Sequence, residues 1–256
     1  MSVESISPGY ALPGITASSS PAAALARVAA LSEPASSHEL GPSRVIIDQN
    51  DLPCCVSSAL AAALEILNAD WPRLAPLFHY YVTSVELGGA DPDGFLYLNQ
   101  SLKTLDKKGV CKHDLHHPPF DDAGSRTKPS PAAYLDAKTR ALDTRGVFKR
   151  FRPTTGLSRS VWIKEQLRRG RPVIIGFQLP AAYPRTFLNP IFQWLDPNVT
   201  LSRFGHCVLV RGYDDTQQAL RIQDSRGRDA FEQGCWWMGI RVVDNNLVQE
   251  AYCLIE

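Results

Sequence analysis

Two stretches of this 256-residue chain put side chains able to act as nucleophile and base at points where the backbone changes direction. The first is Asp48 to Glu65, DQNDLPCCVSSALAAALE, in which a polar, turn-forming opening runs into an apolar segment with two cysteines at the junction. From Val56 to Leu67 only Ser57, Ser58 and Glu65 interrupt the apolar run, so it is expected to form a helix buried on nearly all sides, with Asp51 and Pro53 fitting its first turn. A thiol at the start of such a helix faces unpaired backbone N–H groups and the positive end of the helix dipole, and both favour thiolate. The second stretch is Gly205 to Asp215, GHCVLVRGYDD, which reads as a buried strand with His206 at its entrance and a Gly-Tyr-Asp-Asp turn at its exit. Asp224 ends the next strand-like run, eighteen residues after His206. An antiparallel pair joined by that turn returns the end of the second strand to the start of the first. Cysteine, histidine and an orienting acid can then converge, which is the arrangement of thiol-based acyl transfer.

These motifs resemble a known family. DQNDLPCC resembles the active-site stretch of papain-like cysteine peptidases, and GHCVLVRGYDD followed by DSRG resembles that family's histidine and asparagine strands. Gly109, Val110 and Cys111 resemble a Gly-Val-Cys stretch in the helical half of its bacterial members. The resemblance covers roughly Arg44 to the end of the chain. It implies an α+β, papain-like two-lobe fold: a helical N-terminal lobe over about 44–142, a β-barrel-like C-terminal lobe over about 143–256, and the active-site cleft between them.

The family's glutamine stands six positions before its nucleophile, which selects Cys55 over its neighbour Cys54 and gives Gln49 the role of oxyanion donor beside the Cys55 backbone N–H. Donors of this kind are commonly worth ~3 kcal/mol of barrier each. By the same resemblance His206 takes the proton from Cys55 and returns it to the leaving amine, and Asp224, where the family has asparagine, holds the imidazole. Gly94, Phe95 and Gly205 fall on the substrate-binding wall.

Several positions depart from the family pattern. Val56 replaces an aromatic residue, Pro53 a glycine, and Arg226 the tryptophan of an Asn-Ser-Trp-Gly motif, while Gly234 and Trp236 resemble a Gly-Tyr pair that follows it. An aspartate at the third position stabilises imidazolium more than asparagine does. Loss of the tryptophan is expected to leave the His206–Asp224 contact open to water, where electrostatic interactions weaken. The implied activity is endoproteolysis of a peptide or protein substrate through a thioester, with no metal and no organic cofactor. A Cys-His-Asp site also suits glutamine deamidation or transglutamination, and a third reading is a pseudopeptidase that binds a peptide without cleaving it.

The elements that must position these groups run from helix-rich to strand-rich. Helices are expected over Trp71–Glu86, Leu96–Gly109, Ala132–Leu142 and Ser160–Arg169, and sheet from Gly146–Arg152 onward. PVIIGFQL, Pro172 to Leu179, is a continuous apolar run and hence a central strand; further strands are expected over Cys207–Tyr213, Ala219–Asp224, Gly234–Arg241 and Ala251–Ile255. The insert AAYPRTFLNPIFQWLDPN, just before His206, is expected to form one wall of the substrate site. His79 lies on an apolar helical segment and reads as core-facing. His113, His116 and His117 sit beside Pro118 and Pro119 without a complete ligand set, so no metal is expected there.

Composition bounds the rest. With 27 basic and 26 acidic residues the net charge is +1, and no basic run with interleaved aromatics appears, so no nucleic-acid partner is expected. Nothing approaches 18 consecutive apolar residues, so no membrane span is expected. Residues 1 to 43, rich in Ala, Ser and Pro, read as a flexible tail with one short helix at about Ala22 to Leu31. The resemblance adds a second reading of that tail, an arm whose residues Tyr10 to Ile15 lie in the cleft. The six cysteines lack the spacing of a secreted disulfide framework and read as buried free thiols. That points to a reducing compartment, the cytoplasm, or to export without a cleavable leader; separately, a monomer is expected.

Overall fold

Strands β3 (Val173–Pro180) and β5 (Leu201–Asp214) carry apolar residues on both faces because helices cover both sides of the sheet they centre. The computed structural model describes residues 37–142, 148–153, 156–180, 191–192, 201–245 and 247–255. On one face, α1 (Cys55–Leu67) packs against Ile174, Cys207, Leu209, Tyr252 and Leu254. On the other, Trp162, Ile163 and Leu167 of α6 (Arg159–Arg168) join Val173, Ile175, Val208, Val210, Ile222 and Trp236. Successive residues of β5 thus alternate between two cores, as the two-residue period of a strand requires.

β3 lies between β5 and β8 (Val248–Leu254), and β5 continues outward to β6 (Ala219–Gln223) and β7 (Cys235–Gly239). The edges are β2 (Phe148–Arg150) beside β8 and β4 (Ile191–Phe192) beside β7, while β1 (Ser37–Glu39) pairs with the far end of β5, Ser37 opposite Asp214. Apart from β4 against β7, the pairings are antiparallel. Among the described residues β2 and β4 do not meet, so the sheet is open and the barrel-like closure expected from sequence does not form. The physical reason lies in the cover. A barrel closes around an interior filled by its own side chains, whereas here each sheet face is buried by a helix.

The helical half follows the expected order with shifted boundaries. α2 (Pro76–Tyr81) starts later than the apolar pattern suggests, because Leu74 bridges to Lys112 and the Ala75 N–H donates to Cys111 O at 2.9 Å. It runs into a π-helical turn, Val82–Glu86. α3 (Leu98–Lys108) stops at Gly109, whose φ of 69° suits glycine and where a Cβ would lie 2.0 Å from Ala137 O. α4 (Asp122–Ser125) and α5 (Pro131–Lys138) follow, the latter capped by the Ser130 hydroxyl. In the sheet half, β5 begins at Leu201, so His206 sits inside the strand and not at its entrance. The strand expected to reach Arg241 ends at Gly239 and turns into α7 (Ile240–Val243). The expected helix at Ala22 to Leu31 and most of the 181–198 insert lie outside the described residues. No helix among the described residues is long and apolar enough to cross a membrane, and they contain no cluster of three or more His, Cys, Asp or Glu that could hold a metal.

His79 is buried between three helices. Its Nε2–H donates to Ser101 O at 3.0 Å, which leaves Nδ1 to accept from the Ser57 hydroxyl at 2.9 Å. Burial pushes this imidazole down to about 4. Between about pH 6.5 and 4 the unfolded chain therefore binds a proton at His79 that the native state refuses, so stability falls as pH falls, by about 3 kcal/mol at the lower end. His113 and His116, also lowered by burial, act in the same direction. A His79→Asn variant, which keeps an acceptor toward Ser57, is expected to be about 1–2 kcal/mol less stable at neutral pH. Its melting temperature should nevertheless drop less than the wild type's between neutral pH and about pH 4.5. Equal drops would show that His79 is not the titrating group.

Candidate active site

Cys55 is the first residue of α1, and Cys54 at the preceding N-cap position supplies no side-chain cap. The approach to the helix is held instead by its own turn: the Cys54 N–H donates to Leu52 O at 2.8 Å, and Gln49 Nε2 donates to the same carbonyl at 2.7 Å. That turn is laced to the segment following β6. The Gln49 N–H donates to Ser225 O at 2.9 Å, the Ser225 hydroxyl donates to Gln49 Oε1, the Gly227 N–H donates to Ile47 O at 2.9 Å, and Asp48 bridges Arg226. At Gly227, with φ of 81°, a Cβ would lie 2.9 Å from Asp48 Oδ2, so this close approach calls for glycine.

The sulfur of Cys55 accepts a hydrogen bond from the Cys207 backbone N–H at 3.2 Å. Pairing of β6 with β5 stops at Leu209, opposite Gln223, so the strand beyond offers backbone groups that β6 does not use. The start of α1 brings its sulfur to one of them, next in the chain to His206. Cys54 differs: its sulfur lies 3.9 Å from the Ser58 hydroxyl, and burial pushes its thiol up to about 12. The Cys207 thiol is also pushed well up, by burial first and then by its neighbours Cys55, Glu250 and Asp224.

His206 stands opposite Phe177 of β3, whose ring meets the imidazole edge-on at 5.9 Å. Its Nε2 donates to Asp224 Oδ1 at 2.8 Å, and the two side chains are 3% and 0% exposed. Asp224 Oδ1 also accepts the Ser225 N–H at 2.8 Å, while Oδ2 accepts the indole N–H of Trp236 at 2.9 Å. Burial alone would raise this carboxyl. The charges of His206 and of Arg226, whose Nε lies 3.9 Å away, together with the hydrogen bonds from His206 and Trp236, outweigh it and hold Asp224 well below the usual carboxylate range. The expectation that this contact lies open to water is therefore corrected. Trp236 and Phe177 cover it, 6.4 Å apart, in place of the tryptophan that Arg226 replaces.

The remaining residues read from sequence lie beside this group. Gly94, with φ of 85°, presents its carbonyl to the Tyr80 hydroxyl at 2.9 Å, and a Cβ there would be 3.4 Å from Pro53, two residues before Cys55. Phe95 meets Phe204 edge-on at 4.8 Å, and Gly205 pairs with Gln178 on the strand edge leading to His206. Sequence reasoning missed Phe177, taken only as part of a central strand, and the contact of Trp236 with Asp224. The available signal was that a buried indole N–H needs an acceptor, and Asp224 directly follows the strand that pairs with that of Trp236.

A family model described as the Peptidase_C39 like family matches residues 45–237. The chain belongs to that family. A relative from Acanthamoeba polyphaga mimivirus, "Uncharacterized peptidase C1-like protein L477", is 27% identical over 217 residues, 82% of this chain and 69% of that protein. Among solved structures, xylellain, a cysteine protease from Xylella fastidiosa, matches with a TM-score of 0.74 at 25% identity over 97% of this chain and 96% of its own. The Carica candamarcensis cysteine protease CMS1MS2 matches with a TM-score of 0.58 at 14% identity, over 84% of this chain and 96% of its own, a likeness of fold. The same holds for proCathepsin B S9 from Trypanosoma congolense, with a TM-score of 0.56 at 12% identity over 82% of this chain and 70% of that one. This C39-like family member is a cysteine peptidase of α+β, papain-like fold, as the motifs around Cys55 and His206 suggest.

None of the six cysteines is in a disulfide, and all are buried. A small alkylating reagent added to the native protein at neutral pH is expected to modify Cys55 before any other, and Cys54→Ala should leave the extent of labelling unchanged. Peptide mapping that found Cys54 or Cys207 modified first would overturn the distinction drawn between the three thiols.

Proposed function

We propose that this peptidase is an endopeptidase that cleaves peptide bonds through a thioester acyl-enzyme, with Cys55 as nucleophile, His206 as base and then acid, and Asp224 orienting His206. The supporting observation is the pairing of a fully buried His206–Asp224 hydrogen bond with a helix-start sulfur held on the residue after His206. With Nε2–H committed to Asp224, Nδ1 is the nitrogen that exchanges a proton with the thiol. The thiolate attacks the carbonyl carbon, and the oxygen gains negative charge. Gln49 is anchored at both ends of its amide, by Leu52 O and by the Ser225 hydroxyl, and retains a second amide N–H for that oxygen beside the Cys55 backbone N–H. The imidazolium then gives its proton to the leaving amine, and water attacks the thioester to release the acyl group and regenerate the thiol.

Gly94, Phe95 and Gly205 are proposed as the wall along which the peptide lies, and residues 44–256 as the catalytic unit. The first 36 residues lie outside the described structure. Ser37 pairs with Asp214, eight residues along β5 from His206, or about 27 Å. A segment of that length can span the distance several times over. We therefore include an N-terminal arm over the cleft in the proposal. Two of the structural neighbours are proenzymes by name, proCathepsin B and procathepsin L 3.

The Carica protease is known in complex with E-64, and the same reagent supplies the test. Labelling of wild type that disappears in Cys55→Ala and survives in Cys54→Ala is the expected result, with new peptide termini appearing in a protein substrate. Gln49→Ala should lower kcat by ~100-fold with a smaller effect on KM. A chain beginning at Ser37 should label faster than the full chain, and equal rates would remove the arm from the proposal. A mass gain on glutamine without new termini would favour deamidation. Absence of both labelling and turnover would favour a peptide-binding role without catalysis.

A further inference from the structure

We propose that Trp236 is a positioning residue that acts on His206 through Asp224, and that its indole N–H is what makes aspartate, not asparagine, the residue this site requires. The inference rests on the peptidase reading above and adds a constraint that reading does not contain.

Three N–H groups converge on the Asp224 carboxylate: His206 Nε2–H and the Ser225 backbone N–H on Oδ1, and Trp236 Nε1–H on Oδ2. An ionised carboxylate accepts at both oxygens and satisfies all three. The side chain is 0% exposed, so bulk water does not reach it to repair a mismatch. An asparagine here would offer one acceptor oxygen and one donor NH2. With its oxygen at the Oδ1 position, the NH2 faces the indole N–H, donor against donor, at the 2.9 Å now spanned by a hydrogen bond. Flipped, the NH2 faces both Ser225 N–H and His206 Nε2; moving the ring proton to Nδ1 relieves only the second, gives the wrong tautomer for proton exchange with Cys55, and still leaves the Ser225 N–H against a donor.

Trp236 is placed for this by the sheet. It stands opposite Ile222 in the β6–β7 ladder, and the Asp224 N–H bonds to Gly234 O at 2.9 Å, so the hairpin fixes the indole relative to the carboxylate. The same ring lies against Phe177, which lies against His206. The indole thus limits how Asp224 can rotate, and Asp224 limits how His206 can.

The test is a double-mutant cycle read by kcat/KM on a peptide reporter and by the rate of Cys55 labelling with E-64. Asp224→Asn is expected to lower both by ~100-fold or more, and Trp236→Phe alone by ~10-fold, since it removes one hydrogen bond to a charged group. Asp224→Asn combined with Trp236→Phe removes the facing donor, and it should be at least ~10-fold more active than Asp224→Asn alone. Thermal melts of the four proteins separate this recovery from a change in folded fraction. Nitrogen NMR of the His206 ring, assigned with His206→Gln, reads the tautomer even in a chain that neither labels nor cleaves. Nε2–H is expected in the wild type and the double variant, and a mixture of Nε2–H and Nδ1–H in Asp224→Asn. Lack of labelling in the wild type with this tautomer pattern intact would count against the peptidase reading alone. Additive losses, or Nδ1–H in Asp224→Asn that persists when Trp236→Phe is added, would overturn the role of Trp236.

Discussion

A hydrogen bond from the Cys207 N–H to the sulfur of Cys55, at 3.2 Å, joins the first residue of the buried helix to the middle of the central strand. The site depends on that junction because α1 has no side-chain cap to fix its start. Other restraints surround it. The turn before the helix is laced to residues 225–227, and at the far end the Glu65 carboxylate accepts the N–H groups of Leu74 and Arg44 at 2.8 and 2.9 Å. The helix is thus clamped at both ends by backbone groups of other segments. A loss of order at residues 47–49 would move the sulfur and the Gln49 amide together.

The second constraint is a negative charge kept in an apolar interior. Removing a carboxylate from water costs several kcal/mol unless fixed dipoles and opposite charge replace the hydration. Asp224 meets this with three N–H donors and the Arg226 side chain nearby, all supplied by β5, the turn after β6, and β7. The departures from the papain-like pattern then form one coherent set. Where a tryptophan would cover the site, a charged residue stands beside the acid, and the aromatic cover comes from the next strand instead. The aspartate, Arg226 and Trp236 are best regarded as a single substitution distributed over three positions.

The parts of this structure legible in the sequence are those with a strong local period. The Val56–Leu67 run gives α1, and PVIIGFQL gives β3, because each is apolar for longer than a half-exposed element would be. The meeting of His206 with Asp224 followed from turn chemistry at residues 212–215. What escaped was non-local. Leu201 to Phe204 carry no alternation that marks them as the start of β5, so His206 was expected at a strand end. Whether a sheet closes depends on edge pairing, and strands as short as β2 and β4 leave no readable signal of it. Trp236 reaches Asp224 only because β6 and β7 form a hairpin, a relation that composition cannot express.

The alanines of α1 have a mechanical meaning. Ala59, Ala61, Ala62 and Ala63 are all 5% exposed or less, and Ala59 and Ala62 line the narrow gap against Cys207, Leu209 and Gln223. Methyl groups act here as shims that set how near the helix axis lies to the sheet. Because both ends of the rod are clamped, one added methylene or two could not be absorbed by a simple tilt and would instead strain the clamps that hold it. The alignment of sulfur and imidazole is therefore a dimension set in the core, from behind the site.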